Sequence, residues 1–311
     1  MAPIITPIYE PENYQENRPT YKPTLAGAIV AFHKESNPNA QTEFAADVAT
    51  GVGIFARELP KYFDKVVGTD ISAEMLDKAR SKSKASTIEY VQSPAESLSF
   101  LGDKTVDLIT VATAAHWFDI PAFLAVARRV LKPTGTLAIF SYAGIARFSE
   151  YPQFDAIFRG YIIDSGLDEN KLGPYWGTAS RILLEGYLEY HKEMANIGWT
   201  GVQRSAYPRI LDSAPSPLYP VNVPPEANVI EFNMNWHKFR LFLSSIGPLN
   251  GYNRDHPDEG RICDSAMNAI VLAAGVTNMD EELKLDWDQV LLMGHPPADS
   301  RRSSLSGEKS P

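Results

Sequence analysis

Apolar and polar positions alternate in two rhythms along the first half of the chain. Short apolar runs at 44–49, 65–70, 88–92, 106–112 and 135–142 each predict a strand. Between them, apolar residues recur at helical spacing over 53–63, 72–84 and 119–131, and an earlier helix is predicted over 24–36 with Leu25, Ile29 and Phe32 on one face. Ser72 is placed to cap the helix at 72–84, with Ile71 and Leu76 positioned as a hydrophobic staple. Asp119 is the expected cap of the helix at 119–131. Pro121 lies in its first turn, and Phe123, Leu124, Ala127, Val130 and Leu131 form its buried stripe. Strands alternating with helices predict a parallel sheet with right-handed crossovers, an α/β doubly wound fold.

The alternation stops near residue 145. Residues 150–235 are aromatic-rich and irregular, with helices expected at 152–165 and 178–196 and a proline cluster (Pro208, Pro215, Pro217, Pro220, Pro224, Pro225) that predicts loop. A helix at 264–274 follows, then strands at 282–287 and 289–294, expected to pair antiparallel. The organisation read from these shifts is an extended Pro/Tyr-rich arm over 1–23 and a core over 24–149 and 251–295. An inserted lid occupies 150–250, and a Pro/Ser-rich disordered tail 296–311.

Net charge is −9, which argues against a general nucleic-acid or anionic-membrane binder but leaves room for a local Arg pocket. Cys263 is the one cysteine, so no intramolecular disulfide forms, as suits a reducing compartment. Neither a signal peptide nor a membrane-length apolar run is evident, and the expectation is a soluble cytoplasmic protein.

The chemistry concentrates between Phe44 and Asp70. The first strand ends in Asp47 and opens into a turn containing Ala49, Thr50, Gly51 and Gly53, small enough for a backbone to approach a ligand. Asp70 ends the second strand, where a carboxylate can accept both hydroxyls of an adenosine ribose. A helix N-terminus there could instead hold a pyrophosphate, as in nicotinamide enzymes. An acid immediately before the turn suits a cationic ligand better.

Over residues 14–142 the chain resembles class I S-adenosylmethionine methyltransferases. Asp47, Ala49, Gly51 and Gly53 match the acid-x-Gly-x-Gly-x-Gly pattern, with Ala49 in place of the first glycine. Gly68-Thr69-Asp70-Ile71-Ser72, followed by Met75, matches the ribose-binding turn. Pro94-Ala95-Glu96-Ser97-Leu98 resembles the loop beside adenine, with Pro94 where an acid is common. Val106-Asp107-Leu108-Ile109 and Leu131–Leu137 match the fourth and fifth strand motifs. Within the superfamily the chain is similar to the methyltransferase-11 group, with trans-aconitate methyltransferases and fungal small-molecule relatives. That similarity rests on Tyr14-x-x-x-Arg18-Pro19-Thr20-Tyr21, on Ala115-His116-Trp117-Phe118-Asp119 and on the C-terminal strands around Trp287. The resemblance implies a seven-stranded, mostly parallel Rossmann-like sheet with an antiparallel C-terminal strand. It also implies S-adenosylmethionine as cofactor and S-adenosylhomocysteine as product. Asp47, Ala49, Thr50, Gly51, Gly53, Asp70, Ile71, Met75, Ala95, Glu96 and Thr113 are the expected cofactor contacts, with Tyr14, Arg18 and Tyr21 closing from the arm.

His116 and Trp117 follow the fourth strand at its carboxyl end, where open parallel sheets bind ligands. His116 offers a base to a hydroxyl or amine acceptor, whereas a carboxylate acceptor needs none. Trp117 offers a π face to a sulfonium, with core packing as its rival role. Tyr175, Trp176, Trp199, Tyr207 and Trp236 are candidates for an apolar substrate pocket or for plain packing of the insertion. Arg204, Arg209 and Arg240 are candidates for a substrate carboxylate. Asp255-His256-Pro257-Asp258-Glu259 has metal-ligand residue types but no ligand spacing, and reads as an exposed turn. Cys263 reads as a small buried hydrophobe, and no metal is expected. The expected reaction is methyl transfer to a small organic molecule, at a carboxylate or other oxygen. A nitrogen or sulfur acceptor of secondary metabolism, a cofactor-binding regulatory module and a nicotinamide oxidoreductase are the rivals.

Overall fold

The computed structural model describes residues 21–35, 39–83, 87–148, 150–151, 154, 157, 160, 172–205, 229–244, 246–259 and 262–298. Eight strands form one sheet: β1 (Phe44–Val48), β2 (Lys65–Asp70), β3 (Ile88–Gln92), β4 (Val106–Ala112), β5 (Leu131–Phe148), β6 (Thr200–Ser205), β7 (Val229–Asn235) and β8 (Glu282–His295). The order is β3-β2-β1-β4-β5-β8-β6, and β7 also pairs with β8. The first five strands are parallel, β8 is antiparallel to β5, and β6 and β7 are antiparallel to β8, so β8 alone opposes the rest. The seven-strand path with its antiparallel strand is the expected α/β fold.

Each sheet face has its own core. Alternation along β1 sends Ala46 and Val48 to one side and Ala45 to the other, and β4 splits Ile109 and Val111 from Leu108 in the same way. The first face is covered by α3 (Ile120–Val130) and α5 (Leu188–Asn196), which contribute Phe123, Leu124, Tyr190 and Met194. The second is covered by α1 (Pro23–Glu35), which contributes Leu25 and Ile29. Asp119 caps α3, accepting from the Ala122 amide at 3.0 Å.

A third core lies where β5, β8 and β7 run on together: Phe148, Leu285, Trp287 and Met234 pack with α6 (Trp236–Ser244), α7 (Gly247–Asp255) and α8 (Ile262–Ala274). Beyond Tyr142, β5 continues along the first half of β8 through Arg147–Asp286 and Phe148–Leu285, and β7 takes the other edge of that half.

Four local expectations are corrected. The helix at 53–63 is a series of turns leading into a 3₁₀ helix (Ala56–Lys61), and Pro60 within it lacks an amide donor. The staple does not form: Ser72 does cap α2 (Ala73–Lys82), but Ile71 is 66% exposed. The helix at 178–196 is two, α4 (Gly173–Leu184) and α5, broken where Gly186 and Tyr187 take φ +58° and +57°. The two C-terminal strands are one: β5 and β7 flank Asp288 on both edges, so its ladder continues with no residues left over for a turn. The segment 150–250 read as an insertion contains β6, β7, α6 and the start of α7, none of which was expected from its sequence. The proline cluster and most of 152–165 lie outside the described residues.

Candidate active site

The carboxyl ends of β1, β2 and β4 meet at one edge of the sheet. Asp47 is buried there. Thr50 donates its hydroxyl to one carboxylate oxygen at 2.5 Å, and Thr110, from β4, donates to the other at 2.6 Å. Burial raises the Asp47 pKa from 3.8 to about 6. The Thr110 and Thr50 hydrogen bonds oppose the rise, and the nearby Asp70 charge adds to it. The acid therefore staples the turn to β4 before it meets any ligand.

The turn itself runs through left-handed backbone: Ala49 at φ +54°, Gly51 at +55° and Gly53 at +75°. Ala49, where the family pattern has glycine, carries a Cβ in a region that costs an L-residue roughly 1–2 kcal/mol. The two glycines differ in their surroundings. A Cβ on Gly53 would lie 2.5 Å from the Tyr90 hydroxyl, whereas one on Gly51 would meet nothing within 4 Å. Gly53 therefore packs the turn onto β3, and Gly51 faces open space, as a cradle for a ligand requires.

Asp70 stands opposite. One of its oxygens accepts the Gly51 amide at 2.9 Å and the other accepts the Ser72 amide at 2.9 Å. Burial raises its pKa, against the pull of those backbone donors. A carboxylate oxygen has room for a second donor, so both can still accept a ribose hydroxyl. Ile71, exposed beside Asp70, offers an apolar face at the same mouth. The donor set and the cradle fit an adenosine cofactor.

Other expected contacts fall in different places. Ala95 is buried in the first core, and Glu96 spends a carboxylate oxygen on the Asp119 amide at 3.0 Å, joining that loop to the start of α3. Met75 is half-buried in the first turn of α2. Thr113, at φ +52° just past β4, receives a hydroxyl contact from Tyr21 and accepts from Ser141 at 3.2 Å. Tyr21 packs edge-on against Phe140, with ring centres 4.9 Å apart, and so ties the end of the arm to the crevice. Tyr14 and Arg18 lie outside the described residues.

His116 sits in a 3₁₀ turn (Ala115–Trp117) beyond β4, only 7% exposed, with its Nδ1 3.2 Å from the Tyr187 hydroxyl. Trp117, beside it, is 48% exposed at the rim, which leaves an indole face open to solvent. Sequence reasoning missed Tyr187 and its neighbour Tyr190, whose hydroxyl donates to the Ala115 carbonyl at 2.9 Å. Gly186, a break within an otherwise helical stretch, was the available signal.

The aromatic candidates for a substrate pocket do not converge. Trp199 belongs to the first core and Trp236 to the third. Both indole N–H groups are buried without a hydrogen-bond partner among the described residues, as packing side chains. Tyr175 pairs with Tyr252 and Asp255 across α4 and α7. Trp176 lies in α4, and Tyr207 and Arg209 fall outside the described residues. Nor are the arginines poised for a carboxylate. Arg204, 8% exposed, donates to the Gly186 and Glu185 carbonyls at 2.6 and 2.7 Å, and Arg240 pairs with Asp264 on the surface. His256 and Glu259 form an exposed turn with Tyr252, and Cys263 is buried in the third core. No cluster of three or more metal-ligating side chains occurs among the described residues.

Comparison with known proteins agrees with this geometry. Residues 46–139 match the methyltransferase domain family. A Saccharomyces cerevisiae protein named as an S-adenosylmethionine-dependent methyltransferase, CRG1, is 23% identical over 286 residues, covering 90% of this chain and 93% of its own. A Dictyostelium discoideum protein named as a methyltransferase is 30% identical over 185 residues, 60% of this chain and 65% of that one, so slightly less than two thirds of its length is matched. The solved structure of an Anaeromyxobacter dehalogenans protein, titled a type II methyltransferase, superposes with a TM-score of 0.62 at 21% identity. It covers 90% of this chain and 98% of its own, and shows the shared fold. Asp47, the left-handed turn and Asp70 all lie within the segment 46–139 that matches the methyltransferase domain family, in register on the fold shared with that solved structure.

Proposed function

We propose that the chain transfers a methyl group to an oxygen of a small organic molecule. One observation carries this reading: Asp70 and the open Gly51 turn share the sheet edge with His116 and Trp117, so a cofactor site and a reaction site adjoin. The bound cofactor supplies an electrophilic methyl on a sulfonium. Asp47 sets a negative charge beside the turn, Asp70 would hold the ribose hydroxyls, and Ile71 would offer its apolar face to the base. Trp117 and Tyr21 would border the methyl end, and alignment of donor and acceptor contributes roughly 7–11 kcal/mol in favourable cases. The acceptor is chosen by the segments between β5 and β8.

The resemblance to trans-aconitate methyltransferases puts the acceptor oxygen in a carboxylate. A hydroxyl acceptor is a second reading, favoured by a buried imidazole at the crevice and by the engagement of Arg204 and Arg240 elsewhere. The setting is a reducing, aqueous compartment, and among the described residues no helix is long and apolar enough to cross a membrane.

Calorimetry with S-adenosylhomocysteine, with NADH as control, tests the cofactor site. Methyl-labelled cofactor offered with panels of small acids, phenols, amines and thiols then tests the acceptor. Product from acids alone supports the carboxylate reading and product from phenols the hydroxyl one. Label transferred only to amines or thiols would overturn both.

A further inference from the structure

The turn between α4 and α5 is held in a strained shape by a buried charge, and that shape delivers a hydroxyl to His116. Gly186 and Tyr187 are consecutive left-handed residues; their amides close onto the Leu183 and Ile182 carbonyls at 2.9 and 3.0 Å, but the left-handed region is still disfavoured for a bulky residue such as Tyr187. A strained conformation persists only where its surroundings over-determine it. Here the surroundings are Arg204 on β6. Its Nε–H donates to the Gly186 carbonyl at 2.6 Å and its Nη2 group to the Glu185 carbonyl at 2.7 Å. Both carbonyls lie at the carboxyl end of α4, where unsatisfied acceptors and the helix dipole favour a cation. Among the described residues no salt bridge to a carboxylate accompanies these bonds, and the partners of this guanidinium are backbone carbonyls.

The clamped turn buries Tyr187 and Tyr190 against the segment beyond β4. Tyr187 reaches the His116 Nδ1 at 3.2 Å and stacks beside the ring, with planes 27° apart. Tyr190 holds the Ala115 carbonyl at 2.9 Å. Two tyrosines from one turn thus fix both the backbone before His116 and the ring itself.

We propose that Tyr187 is a positioning residue for His116, and that Arg204 acts through it by holding the turn. The inference rests on the reading of His116 as a crevice residue. The Tyr187 hydroxyl can donate to Nδ1 or accept from it, and in either sense the bond holds one ring orientation and favours the matching tautomer, which sets what the other nitrogen presents to an acceptor.

The test is nitrogen-15 spectroscopy of histidine-labelled protein, where His116 is assigned by its own substitution among six histidines. In the wild type the two ring nitrogens of His116 should be widely separated, as in a single tautomer. Tyr187→Phe keeps the ring in the core and deletes the hydroxyl. Its His116 signals should converge toward tautomer averaging, while affinity for S-adenosylhomocysteine stays within about twofold and, on a hydroxyl acceptor, kcat falls about tenfold at near-constant KM, the size expected for one lost hydrogen bond. Arg204→Met should move the same signals with Tyr187 intact, and it decides the matter if Tyr187→Phe does not fold. A His116 spectrum unchanged in the variants that fold overturns the proposal. Because the spectrum needs neither turnover nor cofactor, absence of methyl transfer would count against the proposed function without touching this result.

Discussion

The two sides of this crevice, proposed to hold cofactor and acceptor, are built by different means. On the β1–β2 side, the groups at the mouth come from within twenty-six residues: Asp47, Thr50, Gly51, Asp70 and Ser72, joined by bonds such as Gly51–Asp70 and Thr50–Asp47. On the β4–β5 side, His116 meets Tyr187 across 71 positions and Thr113 meets Tyr21 across 92. A short-range site depends on turn chemistry and tolerates change elsewhere. A long-range one depends on whether distant elements are held in place.

The comparison breaks most decisively at Asp70. Asp70→Ala removes the acceptor for the Gly51 and Ser72 amides and the carboxylate offered to the ribose. Charge-assisted hydrogen bonds contribute roughly 1.5–3 kcal/mol each, so affinity for S-adenosylhomocysteine should fall at least about 100-fold by calorimetry. Unchanged affinity in a folded variant would show that the cofactor does not use this mouth.

The two glycines sharpen the same side. Gly53→Ala forces a methyl against the Tyr90 hydroxyl in a left-handed backbone, and should cost about 2–3 kcal/mol of stability in a denaturant titration. Gly51→Ala meets no neighbour and should cost only about 1 kcal/mol, yet its methyl enters the cradle and should weaken binding about tenfold or more. A Gly51→Ala protein that binds normally would mean the turn is scaffold and not cradle.

Asp47 gives the short-range half a pH signature. Ionising it in place costs about 3 kcal/mol relative to water, from a pKa raised from 3.8 to about 6. The folded protein therefore keeps a proton that the unfolded chain releases, and this contribution to stability declines as pH rises through 3.8 to about 6. A cationic ligand has the opposite preference and favours the carboxylate. Affinity for S-adenosylmethionine should thus rise about tenfold between pH 5 and 7, the ratio set by a single proton with a pKa near 6, and level off above. A flat profile from calorimetry at four pH values would separate Asp47 from the ligand.

What could be read from the chain follows the same division. The five parallel strands and Asp119 as a cap are local patterns, and the structure has them where the periodicity put them, except that β5, expected at 135–142, runs on at both ends to Leu131 and Phe148. The motif residues Asp47, Gly51 and Asp70 are brought together because strand, turn and strand are consecutive. The acceptor side resisted reading. β6 and β7 are held by the edge of β8, dozens of residues away, and β8 is continuous because it is paired on both sides. Arg204 looked like a substrate anchor by residue type. Only the fold reveals that it is closing a turn. Trp199 and Trp236 have the composition of a pocket and the positions of two separate cores.

Ala49 offers the smallest test, on the short-range side. At φ +54° its Cβ is strained by roughly 1–2 kcal/mol, and glycine would relieve this. Glycine also frees the unfolded chain, which offsets about 0.5–1 kcal/mol of that gain. Ala49→Gly should therefore stabilise the fold by about 0.5–1 kcal/mol and raise Tm by about 1–3 °C. Its effect on cofactor affinity should be smaller still, because Thr50 and Asp47 already fix the turn through a 2.5 Å hydrogen bond. Calorimetric melting beside a binding titration reads both at once. A substantial gain in affinity with no gain in Tm would mean that the Ala49 methyl obstructs the ligand, so that the turn is less open at its first position than at Gly51.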